Sequence, residues 1–176
     1  MSDSKHVTTE TRVYADGAAK RNGRPDCVAG YGVYFPTEEE GKYHGRVRTF
    51  PSNQRAELVA VQTALEVMER KGIRRAVIVT DSMYTISCLT KWWPSWRDNA
   101  WTTAKGTPVK HVDVIRDCVS RLEKVHVRFQ HIRSHQPQPH LASLREDWEG
   151  NREADRLATL ALERGDRSMS ASHSER

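Results

Sequence analysis

Four acids in this chain sit where ordinary secondary structure has little use for them. Asp16 follows the apolar run Val13-Tyr14-Ala15, and Asp81 follows Ala76-Val77-Ile78-Val79-Thr80. Both runs read as strands, where Asp is depleted. If the two strands are parallel neighbours, the carboxylates share the C-terminal edge of the sheet, the edge at which open α/β sheets bind ligands. Neighbouring strands lie ~4.8 Å apart, close enough for the pair to share a cation. Each acid also has a plainer explanation: a turn beside Gly17, and the N-cap of the next helix.

Glu57 says more. On a helical wheel at ~100° per residue, Gln62, Glu66, Glu69 and Arg70 define the polar face, and Glu57 falls in the apolar arc among Ala64, Val61 and Met68. A buried, unpaired carboxylate is costly, so a cation nearby or an opening to water is required. Asp155 lies just off a stripe of Ala154, Leu157, Ala158 and Ala161, on the side of Asn151 four residues earlier. By itself it is also explained as a surface residue bridged to Arg152 or Arg156. Gathered together, four carboxylates repel one another, and hard divalent cations with oxygen ligands offset that repulsion. Two such ions ~4 Å apart clamp the attacking and leaving oxygens of a phosphodiester.

The elements around these residues must bring them together. Residues 12–16 and 29–35 read as strands joined by a Gly/Asn/Pro-rich turn, and 41–50 as a third strand after an acidic turn, which suggests an antiparallel meander. A helix follows Pro51 with Ser52 as N-cap and closes at Lys71-Gly72. Residues 75–81 read as a fully apolar strand, as expected when both faces are covered. Residues 82–93 read as helix, 94–106 as an irregular, basic, Trp-rich segment, 109–124 as amphipathic helix, 125–132 as strand and 149–164 as a last helix. Strands followed by strand–helix alternation imply a mixed α/β sheet with helices on its faces. Residues 11–164 form one domain, with tails expected over 1–10 and over the Ser-rich 165–176.

Composition narrows the classes. With 176 residues, 37% hydrophobic and 29% charged, the chain fits a globular domain. It has no apolar run of membrane-spanning length and no apolar signal-peptide core at the N-terminus. The formal charge of +5 permits a polyanionic partner. Cys27, Cys88 and Cys118 are odd in number and scattered, which suggests a reducing intracellular compartment, cytoplasm or nucleus.

The segments VYADGAAKRNG, SNQRAELVAVQTALE, VTDSMYTI, WWPSWRDNAWTTAKG and GNREADRLA resemble, in order and approximate spacing, the type 1 ribonucleases H. The resemblance spans Arg12 to Glu163. It implies a ribonuclease H-like fold: a five-stranded mixed sheet, three antiparallel strands then two parallel ones, flanked by helices. It implies a monomeric endoribonuclease that cuts the RNA strand of RNA–DNA hybrids with two Mg²⁺ ions, replaceable by Mn²⁺, leaving 5′-phosphate and 3′-hydroxyl ends. Asp16, Glu57, Asp81 and Asp155 become the catalytic metal ligands, Asn151 a supporting amide, and His135 the proton-handling histidine of the loop before the last helix, with His140 its rival. That loop, 136–149, is longer than usual for the family by about a helical turn or more.

By the same resemblance Asn22, Asn53 and Gln54 contact the RNA strand, whose 2′-hydroxyls line a shallow minor groove. Trp92 and Trp96, among Lys91, Arg97 and Lys105, line the DNA channel, where aromatics and cations suit stacking and phosphate tracking. Trp101 is expected to be structural. At the family's DNA-phosphate pocket the chain departs from the Arg/Thr/Asn pattern, with Phe50, Ser52 and His111 there and Arg48 nearby. Alternatives are a non-catalytic hybrid-binding domain on the same fold, a domain derived from a reverse transcriptase or retroelement, and a junction resolvase.

Overall fold

The computed structural model describes residues 10–171, with side chains through Arg164. Five strands form one sheet in the order β3-β2-β1-β4-β5. They are β1 Thr11–Lys20, β2 Val28–Tyr34, β3 Lys42–Val47, β4 Arg75–Thr80 and β5 His126–His131. β1, β2 and β3 pair antiparallel, while β1–β4 and β4–β5 are parallel, which is the mixed α/β sheet expected from the sequence.

Alternation along β1 assigns the two faces. Val13 and Ala15 enter the main core with Leu58, Val61, Leu65 and Ile115 from α1 (Asn53–Lys71) and α4 (Val112–Leu122). Tyr14 points to the other face and joins Val77, Val79 and Ala154 of α5 (Ala142–Ala171). α5 lies so close to β2 that a Cβ on Gly32 would stand 2.2 Å from the Ala154 carbonyl oxygen. Only glycine allows that approach.

α1 forms as its sequence directs. Ser52 caps it by accepting from the Arg55 N–H at 3.0 Å, and Gly72 ends it in the left-handed region at φ 70°. The apolar arc, Glu57 included, is buried.

Three expectations need correction. Asp16 does not end β1. Parallel pairing with β4 is recorded as far as Tyr14↔Val79, but antiparallel pairing with β2 continues through Asp16↔Gly32 to Lys20↔Val28, so the strand persists. The segment from Pro94 is not all irregular. A short α2 (Met83–Ser87) widens into a π-helical turn at Cys88–Trp92, and helix resumes as α3 (Trp93–Asp98). Pro94 falls in the first turn of α3, where its missing N–H costs least. The enlarged 136–149 loop is in large part helix: α5 starts at Ala142, and the irregular connection is residues 132–141. Of the expected tails, residues 1–9 and 172–176 lie outside the described residues, while the backbone of α5 continues through the first part of the Ser-rich segment to Ala171.

Candidate metal centre and nucleic-acid interface

The parallel register pairs Tyr14 with Val79, and continued by two residues it sets Asp16 beside Asp81. α1 crosses behind β1 at Gly17, where a Cβ would lie 2.4 Å from the Glu57 backbone nitrogen. The absence of that Cβ lets the first turn of α1 press against the strand and brings Glu57 to the Asp16–Asp81 edge. Asp16 is held by its own neighbour, the Gly17 N–H donating to Oδ1 at 2.9 Å. Ser82, and not Asp81, caps α2, so the Asp81 side chain is not consumed by capping.

One carboxylate oxygen from each of Asp16, Glu57 and Asp81 lies within 4.8 Å of the others. Asp16 and Glu57 are both buried, at 4% and 5% exposure. Glu57 Oε2 is buried with no hydrogen-bond partner, and so is Asn151 Oδ1. Buried oxygens without partners are rare and call for an ion or water. An all-oxygen, acid-rich set suits a hard divalent cation. Electrostatics agree: burial and the Asp81 charge push Asp16 up to about 8, and burial with the Asp16 and Asp81 charges pushes Glu57 well above the carboxylate range. Burial also raises Asp81, against an opposing pull from His135.

Asp155 is not part of that tight triad. It faces Asp16 and Asp81 across a cavity of ≈ 300 Å³, which Asn151 and His135 also line. His140 is exposed and does not line it. Sequence reading missed three residues here. His131 Nε2 lies 3.2 Å from the Asp81 carbonyl oxygen, and Trp148 and Arg152 line the cavity. The spacing of 148, 152 and 155 would have found the last two, had the helix been extended backwards far enough to put them on one face.

The other expected contact residues do not line this cavity. Asn22 Oδ1 accepts from the Asn53 N–H at 3.0 Å, joining two of the candidate RNA-strand residues, and Gln54 is exposed beside them. Trp92, 38% exposed, and Trp96 have ring centroids 5.9 Å apart. Trp96 and Trp101 pack against the core, and the Arg116 guanidinium covers the Trp101 ring at 5.4 Å, so Trp101 is structural. Ser52 and His111 are linked through Arg55, which was also missed. The Arg55 backbone bonds Ser52 Oγ, its guanidinium lies 3.5 Å from His111 Nδ1, and it pairs bidentately with Asp113. Burial and Arg55 lower the His111 pKa, so this corner presents an imidazole that favours its neutral form and an already-paired guanidinium. Phe50 stands 79% exposed at φ 47°.

The family model described as RNase H matches residues 8–163. Ribonuclease H1 of Rattus norvegicus is 32% identical over 146 residues, which is 83% of this chain and 48% of the rat protein. The chain therefore spans about half the length of that relative. Ribonuclease H of Bordetella avium is 31% identical over 164 residues, 92% of this chain and 96% of the bacterial one. The solution structure of the PFV RNase H domain superposes with a TM-score of 0.67 at 27% identity, covering 86% of this chain and 93% of that one.

Proposed function

The chain belongs to the RNase H family, and from that premise we propose that it is a metal-dependent endoribonuclease that hydrolyses the RNA strand of RNA–DNA hybrids. One observation carries the reading: three carboxylates converge within 4.8 Å with a buried Glu57 oxygen left unpartnered. Pure nucleic-acid binding gains nothing from negative charge concentrated against phosphate.

Asp16, Glu57 and Asp81 would hold divalent cations, Mg²⁺ by preference, with Asp155 completing the set from α5. Such ions, when bound, activate water and stabilise charge on the scissile phosphate. The chain's own residues do the rest. The buried, unpartnered Asn151 oxygen would be available to an ion or its waters. His135, which lines the cavity with Asp81, would donate a proton to the leaving oxygen or take one from the attacking water. Asn22, Asn53 and Gln54 test for 2′-hydroxyls, so the RNA strand is the one held over the acids. Trp92 and Trp96 receive the DNA strand, for which the Ser52–His111 corner supplies a weak phosphate contact. The working form in this reading is a monomer. The three cysteines are free and buried, in keeping with a reducing compartment, and no described helix is long and apolar enough to cross a membrane.

The test is a 5′-labelled hybrid incubated with the protein and Mg²⁺. Cleavage of RNA only, lost in Asp81→Asn by at least about 100-fold or roughly 2.7 kcal/mol of barrier, is expected. Tight hybrid binding without cleavage in Mg²⁺ or Mn²⁺ would instead make this a binding domain.

A further inference from the structure

The connection bearing His135 is poorly tied to the fold. Residues 132–141 form neither strand nor helix. Among the described residues, one hydrogen bond links the span from Arg133 to His140 to another element: Trp148 Nε1 donates to the Gln136 carbonyl at 2.8 Å. His135 itself sits at φ 53°, a left-handed conformation that non-glycine residues keep only where the surroundings enforce it.

Trp148 is well placed to enforce it. The Arg152 guanidinium lies 4.6 Å from the centre of its ring. One residue earlier, Asp147 accepts from Tyr14 at 2.8 Å, from Arg12 Nη2 at 2.6 Å and from Gln130 at 2.7 Å, which pins the start of α5 to β1 and β5. The indole therefore projects from a fixed point. Trp148, Gln136 and His135 line the same cavity as Asp16 and Asp81.

We propose that Trp148 is a positioning residue: its indole N–H holds the 134–136 turn so that His135 faces the acid cluster. The proposal deepens the nuclease reading above and rests on it for its effect on catalysis, but not for its effect on the turn.

Trp148→Phe separates the two, because it keeps an aromatic ring for Arg152 to cover and removes the N–H donor together with the five-membered ring that carries it. Backbone ¹⁵N relaxation should show order parameters at 133–136 falling from about 0.85 toward 0.6, with the rest of the domain unchanged. With hybrid and Mg²⁺, kcat should drop roughly tenfold while KM holds, the mark of lost positioning and not of lost binding. The double variant with His135→Ala should be no slower than His135→Ala alone, since both act through one group. Unchanged order parameters in Trp148→Phe overturn the clamp whatever the activity. Fully additive losses in the double variant overturn its action through His135. A His135→Ala protein as fast as the wild type removes that histidine from the nuclease reading and leaves the order parameters to decide the clamp.

Discussion

Tyr14 and Asp16 share one face of β1, two residues apart, and each meets carboxylates under opposite conditions. At Tyr14, Asp147 is surrounded by donors. Burial works against its charge, yet hydrogen bonds from Tyr14, Arg12 and Gln130 bring its pKa below the ordinary range. At Asp16 the neighbours are Glu57 and Asp81, and burial and mutual repulsion push the acids up. The first cluster is complete within the chain and serves to hold α5 in place. The second finds no compensating donors of that kind and is compatible with a cation. One continuous strand builds both.

The largest way to break the contrast is at Gly17. A methyl there would meet the Glu57 nitrogen at 2.4 Å and the Ala56 carbonyl carbon at 2.7 Å, both backbone atoms that cannot swing away. Gly17→Ala should destabilise the fold by about 3 kcal/mol, measured by urea unfolding, and weaken Mg²⁺ binding as Glu57 is displaced. Next in size is a pair of opposite signs, read in chelator. Asp147→Ala leaves Arg12 without its carboxylate and should cost about 2 kcal/mol. Asp16→Asn removes a repelling charge and should raise the melting temperature near pH 8; in a separate assay with Mg²⁺ it should abolish cleavage. A loss of stability in both variants would mean that the acid cluster is internally compensated and has no need of a cation.

What the sequence made legible divides along the same line. α1 was readable end to end, because Ser52, the apolar arc and Gly72 are local signals, and the inward position of Glu57 follows from that arc. The place of Asp81 after an apolar run was readable too. The Asp147 cluster was not, since its members lie up to 135 residues apart and none is unusual in its own segment. For a related reason the start of α5 at Ala142 escaped notice: residues 142–149 are mostly polar, their apolar pair Leu144 and Trp148 is short, and the Asp147 contacts that anchor the segment come from residues far away in the sequence. The persistence of β1 beyond Asp16 was hidden because a strand can lose one neighbour and keep the other.

The smallest effect is also the sharpest in sign. In chelator, Asp16 has an ordinary pKa of 3.8 when unfolded and about 8 when folded. Between those values the folded state holds a proton that the unfolded state has released, so stability is full below about 4 and falls as pH rises through about 8. Asp147, Asp113, Asp117 and Glu153 are shifted down when folded, so their contribution is gained above the carboxylate range and is constant by pH 7. His44 and His111 are also lowered when folded and add stability as pH rises, but only up to about their unfolded value of 6.5. Cys88 is raised to about 11 and matters only at higher pH. That leaves pH 7 to 8 as a window owned by the acid cluster. There the chelated protein should lose at most about 1.4 kcal/mol per proton for that one pH unit, followed as melting temperature. Millimolar Mg²⁺, bound by the ionised cluster, should raise the melt more at pH 8 than at pH 7 and flatten the slope. Asp16→Asn should flatten it without metal, whereas a slope that survives both treatments would assign the protons elsewhere.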